Sequence, residues 1–379
     1  MLLTLDPDQE LFRDTTAKLL SEQVPFEQLR LLRDDQSGFD DGYWLRGAEL
    51  GWTSLLVSEQ DGGGSIGDHG LVDLALVAYE FGRHAAPGPL LVANVVVATL
   101  SETEGHGFDN VISDVLLGKS IVTWCLGEPN PNDRLGAIEL DIRVDGDDLV
   151  LNGVKRPVES GGRADYLLVS GRTGTGLTQV LVPVGTAGVS ITPMQSVDMT
   201  RRFSVVRFDE VRIPSSSVVG DVGSADAQVD RQLERAVAIN NAETVGAMQA
   251  AFDMTVEWAF DRYSFGRPLA SYQELKHRFA DMKTWLEASH AISDAATDAV
   301  ATGSPDAPEL LSAAKAFIGE YGSELMQDCV QIHGGIGLTF DHDIHLFLRR
   351  HTLNRALYGT PAEHRQRIAG LVEFKGEAQ

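Results

Sequence analysis

Residues 262–268 read Arg-Tyr-Ser-Phe-Gly-Arg-Pro, and they separate two of the longest helical patterns in the chain. The segment before them, Gln228–Asp261, is amphipathic and would be roughly 50 Å long at 1.5 Å per residue. The segment after them, Tyr272–Thr302, is a second long helical pattern. Because Gly266 and Pro268 both interrupt helices, residues 262–268 predict a connection between two long helices.

A third long helical pattern, Ala307–Val330, follows, and residues 331–337 (Gln-Ile-His-Gly-Gly-Ile-Gly) separate it from a shorter one. Long helices of this kind usually pack side by side, so residues 223–379 predict a C-terminal helical bundle. The buried stripe of the first helix is predicted to consist of Leu233, Val237, Val245, Met248, Phe252, Val256 and Phe260.

The periodicity differs in the two regions that precede this bundle. Residues 1–118 are mainly helical in pattern, whereas residues 119–222 contain short runs rich in Val, Ile and Leu between Gly, Asn and Asp turns. The fold class is therefore α+β and mainly helical, with a compact β-barrel or sandwich as the central domain. The seven predicted strands are Ile121–Leu126, Ile138–Val144, Leu149–Leu151, Tyr166–Ser170, Gln179–Pro183, Val189–Met194 and Ser204–Val211.

The composition restricts the partners of the chain. Its 379 residues carry a formal net charge of −24, from 55 acidic and 31 basic residues. Such a surface repels nucleic acid and anionic lipid, and it repels an anionic substrate unless basic groups gather locally. The candidates for such a cluster are Arg201, Arg202, Arg231 and Arg235.

The sequence also predicts a cytoplasmic, reduced protein. Its apolar runs are shorter than the roughly 18 residues that span a bilayer, and the N-terminus carries acids where a signal peptide carries bases. Cys125 and Cys329 are far apart in sequence, which favours two buried, reduced thiols.

The chain resembles the acyl-CoA dehydrogenase family over nearly its whole length. The resemblance depends on the order of helical and β regions, on residues 262–268, and on Gln273 followed by residues 277–282 (His-Arg-Phe-Ala-Asp-Met). It implies the acyl-CoA dehydrogenase fold, with domains at 1–118, 119–222 and 223–379 and a C-terminal four-helix bundle. It also implies a reaction in which a glutamate removes the α-proton of an acyl-CoA thioester while FAD accepts the β-hydride.

The family resemblance implies that one set of residues serves the FAD of a neighbouring subunit. In the family, the residues that match Arg262 and Phe265 contact the cofactor across a subunit interface. A guanidinium offers forked donors to a pyrophosphate, and glycines let backbone N–H groups approach a phosphate or adenine closely. The neighbour-facing positions are Arg262, Phe265, Gln331, Gly334 and Gly335.

The resemblance gives two places for the catalytic base. One lies immediately before Gly-Thr near the C-terminus, where this chain has Tyr358, which cannot act as the base. The other lies in a Leu-Glu-Arg context at the start of the long helix, and it is matched by Glu234. Arg235 is then expected near the bound acyl-CoA, and Glu243 on the same helix is a second candidate for the base.

The chain departs from the family where its own flavin would bind. Leu126 and Gly127 match flavin contacts of the family, but Gly127 lacks the usual hydroxyl, and the serine-containing motif that normally follows is replaced at residues 130–133. Pro157 replaces an aromatic residue, and Glu159 places a carboxylate where a hydroxyl meets the flavin. We call Gly127, Pro157, Glu159 and Tyr358 the own-site positions.

Two further matches complete the expected site. Thr360 corresponds to a family flavin contact. Residues 341–345 (Asp-His-Asp-Ile-His) contain metal-ligand types, but the family has a comparable structural segment there, so no metal is expected.

Three functions follow from the resemblance. The first is an FAD-dependent acyl-CoA dehydrogenase subunit with Glu234 as base and an electron-transfer flavoprotein as acceptor. The second is a non-catalytic subunit that completes the FAD site of a second acyl-CoA dehydrogenase-like subunit in a hetero-tetramer. Residues 198–203 resemble actinobacterial steroid-degrading members, which form such assemblies. The third, another flavin reaction on the same fold, has no supporting feature.

Overall fold

The computed structural model describes residues 5–33, 35, 37–103, 105, 107–129 and 138–377, with side chains through residue 373. Its N-terminal part is helical, as expected. The first helix begins at a capping box, in which the Asp6 carboxylate accepts from the Gln9 backbone N–H and the Gln9 side chain accepts from the Asp6 N–H. The helices are α1 (Pro7–Gln23), α2 (Phe26–Leu31), α3 (Asp41–Glu49), α4 (Gly70–Arg83), α5 (Leu90–Ser101) and α6 (Asp109–Leu116).

The central region forms one seven-stranded sheet. The strand order is β1-β4-β2-β3-β7-β6, and β5 pairs with β4. β1 and β4 run parallel, whereas β3 and β7 form a long antiparallel pair. The strands are β1 (Val122–Cys125), β2 (Asp141–Asp145), β3 (Asp148–Glu159), β4 (Tyr166–Thr173), β5 (Gly176–Pro183), β6 (Val189–Met194) and β7 (Phe203–Pro214).

The third strand is much longer than the sequence predicts. The prediction ended it at Leu151, but β3 continues to Glu159. Its pairing with β7 shifts register between Leu151 and Gly153 and again between Lys155 and Val158. Gly153 and Pro157 would ordinarily end a strand, but these irregularities in the pairing accommodate both residues. The strand therefore continues to Glu159.

The C-terminal region is the expected helical bundle. Residues 262–268 are not a plain connection, because Tyr263–Ser264 (β8) and Arg267–Pro268 (β9) pair as a small hairpin. Phe265 and Gly266 form its tip, both with positive φ (49° and 80°). The helices are α7 (Asp226–Asp261), α8 (Gln273–Ala301), α9 (Ala307–His333), α10 (Ile344–Ala356) and α11 (Pro361–Glu377).

The buried stripe of α7 is confirmed except at its end. Leu233, Val237, Val245, Met248 and Phe252 are buried. Phe260 is 64% exposed, so its predicted burial is wrong. Phe260 lies outside the stripe because the buried face at this end of α7 carries Thr255 and Ala259 instead.

Two glycines let α4 and α7 approach backbone to backbone. A Cβ on Gly82 would lie 1.9 Å from the Glu243 carbonyl oxygen, and one on Gly246 would lie 2.0 Å from that of Tyr79. Such distances are far inside van der Waals contact, so both positions require glycine. The close crossing therefore fixes the position of Glu243 relative to the N-terminal helices.

Other expectations concern burial and membranes. Cys125 and Cys329 are free and buried, which confirms their interpretation as structural thiols. Within the described residues, no helix combines the length and hydropathy needed to cross a bilayer.

Candidate active site and cofactor surface

Arg201 binds the Glu159 carboxylate inside the protein. It lies between β6 and β7 and is only 4% exposed. Its Nε donates to Oε1 of Glu159 at 2.7 Å, and one terminal nitrogen donates to the other carboxylate oxygen. The second terminal nitrogen donates to Glu243 at 3.1 Å and to Asn354 at 2.9 Å. A forked guanidinium suits this two-point binding of a carboxylate.

Arg350, which is fully buried on α10, continues this arrangement. Its Nε donates to Asp198 at 2.5 Å, and one terminal nitrogen donates to Glu243 at 2.5 Å. The other terminal nitrogen donates to Thr200 Oγ1 and to the carbonyls of residues 85 and 86, at 2.5 to 3.1 Å. We call these five charged residues the ion network: Glu159, Asp198, Arg201, Glu243 and Arg350.

Ionisation in the network depends on the pairing of charges. Burial raises the pKa of Glu159, and the Arg201 charge opposes that rise. Burial also acts to raise the pKa of Asp198, but Arg350 and the Thr200 backbone N–H outweigh it and hold the value below its ordinary range. The pKa of Arg201 is raised, because its carboxylate neighbours outweigh its desolvation. The network is therefore a set of ions that are stable only together.

Lys315 on α9 adjoins the network. It is buried, and its Nζ donates to the Asn240 side chain and to the Asn354 carbonyl at 2.5 Å. Burial, together with Arg201, lowers its pKa to about 7, while Glu243 opposes that shift. The three carboxylates of the network exceed its two guanidiniums by one negative charge, which a protonated Lys315 balances.

Tyr358 occupies the place expected for a C-terminal base. Its ring stacks on that of Trp124 in β1, with centroids 6.2 Å apart and planes at 17°. Burial and the charge of Glu159 raise its pKa well above the ordinary value of a phenol. Tyr358 is therefore a neutral phenol that cannot accept a proton at physiological pH, as the sequence predicts.

Gly127 lacks a hydroxyl, and it also lies too close to β3 for a larger side chain. Its carbonyl accepts from the Arg156 N–H at 2.8 Å, and a Cβ would lie 2.8 Å from the Arg156 carbonyl oxygen. Lys155, also buried, donates to the Leu126 carbonyl at 3.0 Å and to Glu128 at 2.6 Å. β3 thus packs directly on this segment. Pro157, further along the same strand, is exposed.

Glu234 lies on the face of α7 opposite Glu243. It is nine residues from Glu243 on α7, which is roughly 14 Å along the helix and half a turn around it. Partial burial raises its pKa, and Arg367 is the strongest opposing charge. Arg235 instead forms an ion pair with Glu102.

The four arginines considered as an anion-binding cluster are used separately. Arg201 belongs to the ion network, and Arg202 donates to the carbonyls of Leu32, Asp35 and Met199. Arg235 is paired with Glu102, whereas Arg231 is exposed. The substrate-binding role of Arg235 remains a prediction.

The neighbour-facing positions are all exposed. Phe265 is 96% exposed at the hairpin tip. The Arg262 guanidinium lies 6.0 Å from the ring centroid of Trp258, and this ring stacks on His333 at 5.2 Å. His333 ends α9 immediately before Gly334, so the hairpin and the glycine loop form one continuous surface.

The glycine loop has open space in front of it. A Cβ on Gly334 or Gly335 would meet no atom within 4 Å. Under the loop, the Trp258 Nε1 and His333 Nε2 atoms are buried without a hydrogen-bond partner. Nδ1 of His333 contacts the Cys329 carbonyl at 2.8 Å, so it must donate, and Nε2 is an acceptor. One donor, Trp258 Nε1, and one acceptor, His333 Nε2, are therefore free beneath the open loop.

The remaining predicted sites have structural partners or lie outside the described residues. Thr360 N and Oγ1 both donate to Glu363 at the start of α11, a capping arrangement. Residues 130–133 lie outside the described residues. In the described part of the chain, no group of three His, Cys, Asp or Glu side chains could hold a metal ion.

Comparison with known proteins decides the family. The profile of the "Acyl-CoA dehydrogenase, N-terminal domain" matches residues 6–105, and that of the "Acyl-CoA dehydrogenase, C-terminal domain" matches residues 227–372. This chain belongs to the acyl-CoA dehydrogenase family. Acyl-CoA dehydrogenases are FAD-dependent oxidoreductases that act on acyl-CoA.

Similar proteins include actinobacterial members and assemblies. Acyl-CoA dehydrogenase IpdE2 of Mycolicibacterium smegmatis is 29% identical over 97% of this chain and 100% of that protein. A variant of the Tcur3481-Tcur3483 steroid ACAD has a TM-score of 0.88 at 25% identity, covering 99% of this chain and 100% of that one. The ChsE4-ChsE5 complex of Mycobacterium tuberculosis shares the fold, with a TM-score of 0.89 at 21% identity, covering 98% and 99% of the two chains.

Sequence reasoning missed most of the ion network. Glu159 was recognised as unusual, but its partner Arg201 was assigned to an anion-binding cluster. Arg350 and Lys315 have no signal of their own, because an isolated charge in a helix or loop is usually solvated.

Proposed function

We propose that this chain is a subunit of a hetero-oligomeric, FAD-dependent acyl-CoA dehydrogenase, in which it completes the cofactor site of a neighbouring subunit and does not itself dehydrogenate the substrate. The observation that carries the proposal is the binding of Glu159, an own-site position, by Arg201 within the buried ion network. A carboxylate held in this way is not available to a flavin, and the resemblance places a hydroxyl there.

The other own-site positions support the same conclusion. Tyr358 is a protonated phenol against Trp124, so the place of a base has no proton acceptor. Gly127 is packed against the β3 backbone, where a larger residue with a hydroxyl would clash. These residues do not fit an isoalloxazine ring with a base beside it.

The neighbour-facing positions do fit part of a dinucleotide. Arg262 would supply donors to the pyrophosphate, and Phe265 an apolar surface for a planar ring. Gly334 and Gly335 leave room for close approach, and Gln331 is exposed beside them. When bound at a complete site, FAD supplies the hydride acceptor; the residues of this chain bind and orient it from one side.

The partners follow from this division. The second subunit must supply the base and the surroundings of the flavin ring, and the assembly would use an electron-transfer flavoprotein as acceptor. The similar steroid ACAD favours a steroid-derived acyl-CoA as the substrate of the assembly.

Catalysis by Glu234 is the second candidate function. It is favoured by the raised pKa of this half-buried carboxyl, which suits a general base. The position of Glu234, on the face of α7 opposite Glu243, supports this reading less well than the own-site positions support the first.

Co-purification tests the proposal. The full chain would be produced alone and together with a candidate second acyl-CoA dehydrogenase-like subunit, and bound flavin would be measured by visible absorbance. We expect the chain alone to be colourless and inactive, and the complex to be yellow and to reduce a ferrocenium-type acceptor with an acyl-CoA. The proposal is overturned if the chain alone retains flavin and turns over acyl-CoA.

A further inference from the structure

The ion network connects segments from all three regions of the chain. Glu159 ends β3, Asp198 and Arg201 lie between β6 and β7, and Glu243 is on α7. Arg350 on α10 reaches the carbonyls of residues 85 and 86 between α4 and α5. One connected set of polar contacts therefore joins the N-terminal helices, the sheet and the bundle.

Every side-chain nitrogen and carboxylate oxygen of the ion network has a hydrogen-bond partner within the chain. Each side-chain nitrogen of Arg201 and Arg350 donates at least one hydrogen bond. Each carboxylate oxygen of Glu159, Asp198 and Glu243 accepts at least one. Every side-chain nitrogen and carboxylate oxygen of these five residues therefore has a partner within the chain, which distinguishes the network from a binding site that lacks its ligand.

We propose that the ion network is a permanent polar core that takes the structural place of a flavin ring, so that this subunit reaches its full stability without FAD. The comparison with a flavin rests on the proposed function, but the claim about stability does not. Removing one member leaves a buried charge without its partner, whereas the intact set is self-sufficient.

Thermal unfolding of the full chain tests the first half of this inference. We expect the same midpoint with and without excess FAD, because a ligand stabilises a protein only by binding its native state. An increase caused by weak binding at the exposed surface would disappear in Arg262→Ala. An increase of several degrees that persists in Arg262→Ala would overturn the inference, because the flavin would then bind among the own-site positions.

Substitution within the network tests the second half. We expect Arg350→Met to lower the unfolding midpoint by about 4 to 6 °C. The matched control is Arg212→Met, because Arg212 pairs with Asp145 and Asp148 at the surface and is about half exposed. We expect the control to change the midpoint by about 1 °C or less.

A milder variant covers the case in which Arg350→Met does not fold. Glu159→Gln keeps the shape of the side chain and removes its charge, and it should lower the midpoint in the same direction. The inference is wrong if neither Glu159→Gln nor Arg350→Met destabilises the chain more than Arg212→Met does. That outcome leaves the proposed function intact, because flavin retention and turnover by the chain alone are measured separately.

Discussion

The ion network and the neighbour-facing surface are both built around arginine, but they use it in opposite ways. Inside, Arg201 and Arg350 donate from every side-chain nitrogen to groups of the same chain. Outside, Arg262 is exposed and lies over Trp258, beside glycines with open space in front of them. Under the proposed function, one half of a cofactor site has become structure while the other half has kept its binding chemistry.

The largest effect is expected on the free energy of unfolding when a residue of the ion network is replaced. Glu243 accepts from both Arg201 and Arg350, so Glu243→Gln leaves two buried guanidiniums with one carboxylate fewer. We expect the free energy of unfolding to fall by about 3 to 5 kcal/mol. Urea denaturation would measure it, with Asp145→Asn on the surface as the control. A loss no greater than that of Asp145→Asn would remove the contrast between the two regions.

The next effect concerns the outer surface. In the assembled complex, Arg262→Ala should weaken FAD binding by about 10- to 100-fold, because a charge-assisted hydrogen bond is lost. Flavin retention during gel filtration and an FAD titration would measure it. Arg267→Ala is the matched control from the same hairpin, since the Arg267 guanidinium lies 3.8 Å from the Tyr272 ring centroid. Equal flavin loss in both variants would show that Arg262 has no specific role.

A smaller, pH-dependent effect tests how the network is balanced. The pKa of Lys315 is about 7 in the folded chain, against 10.5 for an ordinary lysine. Between pH 7 and pH 10.5 the unfolded chain holds a proton on Lys315 that the folded chain has lost. The free energy of unfolding should therefore rise by about 1 kcal/mol per pH unit relative to that of Lys315→Met. Below pH 7 both states are protonated, and the difference should be constant.

The measurement is the difference in unfolding free energy between the wild type and Lys315→Met at several pH values between about 6 and 9. Lys283→Met, on the exposed face of α8, is the control and should show no such trend. A flat difference would mean that the negative charge of the network keeps Lys315 protonated throughout.

The smallest effect is expected at Glu234. In the complex, Glu234→Gln should change the turnover of acyl-CoA by less than about twofold, as Asp230→Asn on the same helix should. A loss of 100-fold or more, without loss of flavin, would instead support catalysis by this chain.

The sequence predicted the parts of the molecule that depend on local pattern. The long helices, the central strands and the interruption at residues 262–268 follow from periodicity and from the positions of glycine and proline. The ion network could not be predicted in this way, because its partners are 42 to 153 positions apart in the chain. From the sequence, Glu159 is recognisable only as a carboxylate in an unusual place. Arg201, which binds it, lies on another segment of the chain.

Two expectations failed for related physical reasons. Phe260 continues an apolar stripe in sequence, but the buried face at this end of α7 carries Ala259 instead. β3 continues through Gly153 and Pro157 because its pairing with β7 shifts register at both places. In both cases tertiary context, which no local window contains, decided the outcome.

The close crossing of α4 and α7 has a consequence for protein engineering. Replacing a helical glycine by alanine is a standard route to higher thermostability, and it ordinarily gains up to about 1 kcal/mol. At Gly82 and Gly246 the added methyl group would instead meet a carbonyl oxygen at 2.0 Å or less. The helices would have to separate, and Glu243 would move with them. These two positions should therefore be left out of any stabilising library made for this chain.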